Sequence, residues 1–185
     1  MTGKQQDAPG RLEAVRGFVN TWDKEHEVEE LTDPSALKAW LTGEELLERG
    51  AKVGEADLRR ALEVREALRA QLMANNGAKP DPGAVATLHA AAERAGIVLS
   101  FSPEGSTLEP ASGGVDGAIG RLLTFVHEAE HDGHWTRLKA CPWDTCNWAF
   151  YDNTKNGSGV WCNMAVCGNR AKAQAYRERH AHPHR

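Results

Sequence analysis

Apolar residues recur every three or four positions over most of the first 130 residues, the period of helices that bury one face. Leu12, Val15, Val19 and Trp22 share one such stripe, with Phe18 beside them. Leu37, Trp40 and Leu41 repeat the spacing after Asp33-Pro34. An Asp at the cap accepts the first free N–H groups, and a Pro in the first turn needs no acceptor, so this pair predicts a helix start. Leu58, Ala61, Val64, Leu68 and Leu72 trace a long helix ending near Asn75-Asn76-Gly77. A second start, Asp81-Pro82, opens a helix carrying Val85, Leu88 and Ala92 and closing at Gly96. The stretch IVLSFSPEGSTLEP then alternates and turns at Pro103-Glu104-Gly105, which predicts a short β-hairpin. Ile119, Leu122, Leu123 and Val126 mark a last helix. These stripes read as core packing. No Gly-rich phosphate loop, nucleophile elbow or paired-carboxylate motif interrupts them.

The chain has 185 residues, 41% of them hydrophobic, enough for one compact domain or one plus a small module. Its first residues, MTGKQQDAPGRLEAV, lack the apolar core of a signal peptide. Its longest apolar stretches, such as GIVLSF, are too short to span a bilayer. A cytoplasmic location is expected, where thiols stay reduced.

That expectation matters because all four cysteines lie in the last quarter. They read CPWDTC, fifteen residues, then CNMAVC. Four cysteines allow three disulfide pairings. In a reduced compartment, Cys141, Cys146, Cys162 and Cys167 instead offer one Zn²⁺ a closed tetrahedron of sulfur, with no open position for chemistry. The predicted cofactor is one structural zinc. Residues 137–141 and 160–162 read as short strands entering the site. Trp148, Phe150 and Tyr151 supply core that so small a module needs beside its metal. Cys167 falls just before, or in the first turn of, a helix holding Ala171, Ala175 and Tyr176, whose free N–H groups favour a thiolate.

The fold class that follows is mainly α. Residues 1–135 form a helical domain with a short hairpin, and residues 136–185 a Cys₄ module, a knuckle or hairpin followed by a helix. Charge divides at the same place. The tail carries Arg137, Lys139, Lys155, Arg170, Lys172, Arg177, Arg179 and Arg185 against Asp144, Asp152 and Glu178, a net +5, while the rest stands at −9. Four thiolates on Zn²⁺ bring the tail nearer +3, and Lys139, Arg170 and Lys172 can partly offset that cluster.

The segments CPWDTCNWAFYD and VWCNMAVCGNRAKAQAYRER resemble the CGNR zinc finger over residues 136–180, with Cys167-Gly168-Asn169-Arg170 as its namesake. Residues 18–21, the Leu37–Leu41 stretch and the Arg-rich helix around Leu58–Leu72 resemble the helical domain that usually precedes it. The resemblance implies a bacterial, often stress-linked transcription regulator in the cytoplasm, with one structural zinc and DNA bound by the finger; the closed sulfur set, with no open position, predicts that it is not an enzyme. A small-molecule effector of the helical domain is possible under it, without residues to identify one. Relatives commonly have an Arg-rich loop before the third cysteine. Here that loop reads NTKNGSGV, with Lys155 its one cation, which implies fewer phosphate contacts.

Lys155, Arg170, Lys172, Arg177 and Arg179 are the candidate DNA contacts. Lys172 and Arg179 share a helix face; each can equally be a solvated surface charge. Arg170 can reach DNA, or bridge to Asp152 or a carbonyl near the metal. Asn169 reads as a turn residue rather than a base reader. Two alternatives stand beside DNA binding. One is a finger that docks on the acidic body or on a protein partner. The other is a zinc hydrolase built on His127-Glu128-Ala129-Glu130-His131, an H-E-x-x-H match with His134 as a further ligand. That motif sits at a helix end among charged residues and lacks the sheet such a site packs against. His180, His182 and His184 read as a flexible tail.

Overall fold

A computed structural model describes residues 7–103 and 105–181. The amino-terminal Met1–Gln6, Glu104 of the predicted turn, and His182, His184 and Arg185 lie outside them. Six α-helices and three two-stranded antiparallel sheets appear among the described residues, so the chain is mainly α.

Helix α1 (Leu12–Asn20) stops short of Trp22. Thr21 closes it by donating its hydroxyl to the Phe18 carbonyl at 2.8 Å. Trp22 instead pairs with Glu29 in a ribbon of β1 (Trp22–Asp23) and β2 (Val28–Glu29), which corrects its place on the helical stripe. Helix α2 (Pro34–Gly43) begins where Asp33 accepts from the N–H groups of Ser35 and Ala36. Helix α3 (Glu55–Asn75) runs through the centre. Helix α4 (Pro82–Ala95) ends at Gly96, whose φ of 60° is the left-handed conformation that glycine adopts freely. Strands β3 (Ile97–Ser102) and β4 (Gly105–Pro110) form the predicted hairpin, with Leu99 opposite Leu108. Helix α5 (Gly114–His131) leads through a 3₁₀ turn at Trp135–Arg137 into β5 (Leu138–Ala140), which pairs with β6 (Ala149–Tyr151). A π-turn at Met164–Gly168 then opens α6 (Asn169–Ala181).

Val64, Leu68 and Leu72 of α3 are buried against Val15, Phe18 and Val19 of α1, Leu37 and Leu41 of α2, and Leu122 of α5. Each such side chain contributes about 1.5–3 kcal/mol on leaving water. Helix α4 packs through small residues. Ala84, Ala91 and Ala95 are buried, whereas Val85 is 51% exposed and does not belong to the core stripe. Close approach explains this. A Cβ on Gly120 of α5 would fall 2.6 Å from the Ala95 Cβ.

The same core continues into the last quarter of the chain. Leu138, Ala140 and Ala149 are fully buried and cluster with α1 and α3. Side-chain amides secure the junction. The Asn20 amide donates to the Ala149 carbonyl at 2.9 Å and accepts from the Ala149 N–H at 2.8 Å. Asn75 donates to the carbonyls of Trp135 and Leu138. Asn76 donates to those of Ala140 and Val160 at 2.9 and 2.8 Å.

Candidate metal centre and nucleic-acid interface

The four cysteines converge where the β5–β6 hairpin meets the π-turn. Cys141 follows β5, and its N–H donates to the Trp148 carbonyl at 2.9 Å. The Cys146 N–H closes the knuckle on the Trp143 carbonyl at 2.8 Å. Asn147, with a left-handed φ of 52°, turns the chain into β6. Residues 160–162 are not a strand, contrary to the spacing-based expectation. The Val160 carbonyl bonds to the Asn76 side chain rather than to a sheet neighbour. Cys162 and Cys167 reach the site from either side of Asn163, whose side chain accepts from the Ala165 N–H at 2.9 Å and caps the π-turn. Asn163 is a positioning residue that the cysteine spacing did not reveal.

All four Sγ atoms lie within 4.8 Å of one another. The Cys146–Cys162 and Cys162–Cys167 separations are 3.5 and 3.7 Å. A disulfide needs about 2.05 Å. The edge of a tetrahedron with Zn–S bonds of about 2.3 Å is about 3.8 Å, which these separations match. Cys141, Cys146 and Cys167 are buried, and Phe150, Trp143, Trp148 and Trp161 pack around the cluster. Protonation tells the same story. Hydrogen bonds from Cys146 and Cys162 pull the Cys141 thiol down to about 2. Its bond to Cys141 pushes Cys146 up to about 12, and the neighbouring sulfurs raise Cys162. Burial raises Cys167 as well. One thiolate suppresses the others unless a cation stands among them, so the donor set fits a single structural zinc.

The CGNR tetrapeptide is explained residue by residue. Cys167 is a sulfur donor. A Cβ on Gly168 would collide with the Met164 sulfur and lie 3.1 Å from the Trp161 ring. The Asn169 side chain donates to the Ala165 carbonyl at 3.1 Å, in keeping with a turn role. Arg170 bridges to neither Asp152 nor a carbonyl at the metal. Its guanidinium pairs with Glu25 of the β1–β2 connection at 2.5 Å. Asp152 is taken by Lys139 at 2.8 Å, and Lys139 also donates to the carbonyls of Gly157 and Gly159. Lys139 thereby organises the loop. Arg137 joins it, donating to the carbonyls of Asp152, Thr154 and Lys155. The loop is thereby tied down around a buried ion pair, with Lys155 exposed on it.

Helix α6 differs from every other helix. Lys172 to His180 are all exposed; among its described side chains only Ala171 is half-buried, on the side where Ala171, Gln174, Ala175 and Glu178 face Trp143 and Trp161 across a groove. The helix is held by its own contacts, Gln174 to Glu178 at 2.9 Å and Tyr176 stacked on His180. Lys172, Arg177 and Arg179 make no ion pair among the described residues. They are not docked on the acidic body.

The second zinc-like motif does not assemble. His127, Glu128 and His131 are exposed at the end of α5. Nδ1 of His134 is hydrogen-bonded to the Tyr151 hydroxyl at 2.6 Å. Among the described residues, the four cysteines are the one metal-competent cluster of His, Cys, Asp and Glu.

Comparison with protein families agrees with this layout. The CGNR zinc finger model matches residues 137–180. The ABATE model, described as "Putative stress-induced transcription regulator", matches residues 13–129. Comparison with curated proteins finds no match. Among the described residues, no helix is long and apolar enough to cross a membrane. With more than half of its length under one model and its four sulfurs gathered under the other, the chain belongs to the ABATE family and ends in a CGNR zinc finger.

Proposed function

We propose that this protein binds DNA through α6 and regulates transcription in the cytoplasm, as a non-enzymatic protein whose zinc holds the finger together. Residues 1–135 form the regulatory body and residues 136–185 the DNA-binding module. The exposure of Lys172, Tyr176, Arg177 and Arg179 along α6 carries the reading. A 13-residue helix is about 20 Å long, and the B-DNA major groove admits one helix. Lys172 and Arg179 lie on one face of it with Tyr176 between them, and Arg177 flanks the other side. Lys155 adds a contact from the neighbouring loop. Arg170, paired with Glu25, sets the angle at which α6 leaves the body. Fluorescence anisotropy of the zinc-loaded chain on random duplex DNA tests this at two salt concentrations. Four phosphate contacts give a log–log salt slope of about −3 to −4. Binding that is absent, or indifferent to salt, overturns the reading.

A second reading is a finger that binds protein. Val160, Met164 and Val166 support it, at 41%, 50% and 40% exposure beside the metal. Partner binding by this apolar surface would survive high salt and substitution of the α6 cations.

A further inference from the structure

Strand β3 is the outer strand of its hairpin. Among the described residues it pairs with β4 alone, and β4 packs on α5. Its register runs without a bulge from Ile97 opposite Pro110 to Ser102 opposite Gly105. Its sequence, IVLSFS, holds no charge and no proline. Natural edge strands are guarded by a charge, a proline or a bulge, because an open edge invites another strand. Strand β3 has none of these guards, and its side chains are apolar and exposed. Val98, Leu99 and Phe101 are 48%, 55% and 80% exposed.

The hairpin fixes which main-chain groups of β3 point outward. Beside its base, the Ala111 N–H donates to the Gly96 carbonyl at 3.1 Å. Bonded and open positions alternate along an antiparallel pair. Val98 and Ser100 therefore turn their main-chain groups toward β4, while Ile97, Leu99 and Phe101 turn theirs to the open edge. These three residues also share one face of the strand. They form an apolar series that reads alike in both directions. A two-fold axis at Leu99 sets it opposite the second copy's Leu99, and Phe101 opposite the second copy's Ile97. The open donors and acceptors of both strands then meet, and Val98 falls opposite the second copy's Ser100. A two-fold axis also sets any charge near it against its own copy, so an uncharged seam suits a second copy of this chain. Glu109 stands one strand behind, on β4. Its two copies would be at least about 14 Å apart, beyond the screening length of about 8 Å. We infer that β3 is the seam of a homodimer, in which two hairpins join as one four-stranded antiparallel sheet through Ile97, Leu99 and Phe101. The inference is independent of DNA binding. So short a seam buries less than the about 800 Å² per partner of a standard interface, so a reversible dimer of micromolar affinity is expected.

Sedimentation equilibrium of the zinc-loaded full chain, from about 1 to 300 µM, tests it. A reversible monomer–dimer equilibrium is the expected result. Leu99→Lys, which sets two ammonium groups against each other at the axis, should weaken the dimer about tenfold or more. Val85→Lys, at a comparably exposed apolar residue of α4, should change it less than about twofold. Hydrogen exchange on the unaltered protein guards against a misfolded variant, with the Leu99 and Phe101 amides gaining protection as concentration rises. A monomer over the whole range, a dimer that Leu99→Lys leaves intact or that Val85→Lys weakens equally, or amides at Leu99 and Phe101 that ignore concentration would each overturn the seam.

Discussion

Helices α3 and α6 are both rich in cations, and the fold treats them in opposite ways. Arg65 and Arg69 of α3 are 4% and 6% exposed. Arg65 pairs with Glu29 and Glu66, and also reaches the Thr21 hydroxyl. Arg69 pairs with Glu66 and donates to the carbonyls of Val19, Trp22 and Asn147. These guanidiniums are internal struts that join α1, the β1–β2 ribbon and the zinc knuckle. Lys172, Arg177 and Arg179 of α6 are exposed and have no such partner among the described residues. Charge alone is therefore no guide to function. A cation that satisfies buried carbonyls acts on stability, and one held in solvent on a rigid helix acts on whatever comes from outside.

Removing the zinc is the harshest test of this contrast. Structural zinc contributes on the order of 10 kcal/mol to folding at neutral pH. Because Leu138, Ala140 and Ala149 share the body core, a chelated chain should lose the finger and lower the melting temperature of the body too. Circular dichroism with and without chelator measures it. An unchanged body transition would mean that the two parts fold separately.

Next in size is Arg69→Ala, which leaves three carbonyls short of a donor. It should cost about 3 kcal/mol in urea unfolding of the zinc-loaded protein, while the salt slope of DNA binding keeps its value. Asp152→Asn follows. Burial acts to raise the Asp152 pKa, but hydrogen bonds from Lys139, Thr154 and Gly159 outweigh it and hold the group to about 2. A depressed carboxylate stabilises the fold above its unfolded pKa and loses that contribution as pH falls from about 4 toward 2. At pH 7 the substitution should thus cost about 2 kcal/mol. An equal cost at pH 7 and pH 3 would show that the ionised Asp152 is not the source.

Smallest in stability is Lys172→Ala, together with Arg177→Ala and Arg179→Ala. Each should change unfolding free energy by no more than about 0.5 kcal/mol. Each should also remove about one unit of salt slope from DNA binding.

Much of this was legible from local sequence, and the reasons are local. Asp33-Pro34, Asp81-Pro82 and Gly96 set their helix ends through bonds to residues within a turn, so spacing reveals them. The cysteines were legible because metal geometry fixes ligand type and spacing together. What stayed hidden depends on partners far along the chain. Trp22 leaves its helical stripe because Glu29 pairs with it. Asn20 meets Ala149 across 129 positions, and Asn76 meets Val160 across 84, so no periodicity announces them. Val85 kept an apolar spacing but lost its place in the core, because small Ala95 lets α4 approach Gly120. The H-E-x-x-H match shows the opposite limit of spacing. Its spacing brings the His127 and His131 rings to 5.5 Å, but among the described residues no third His, Cys, Asp or Glu completes a metal group there.

The central claim is that the freely exposed cations of α6 grip DNA while the buried ones of α3 hold the fold. Its most direct test is the salt dependence of duplex binding, measured by anisotropy on the zinc-loaded chain and on the triple alanine variant of Lys172, Arg177 and Arg179. A steep slope in the unaltered protein that is about three units shallower in the variant, at unchanged melting temperature, is the predicted result. A slope that is the same in both proteins would contradict the account.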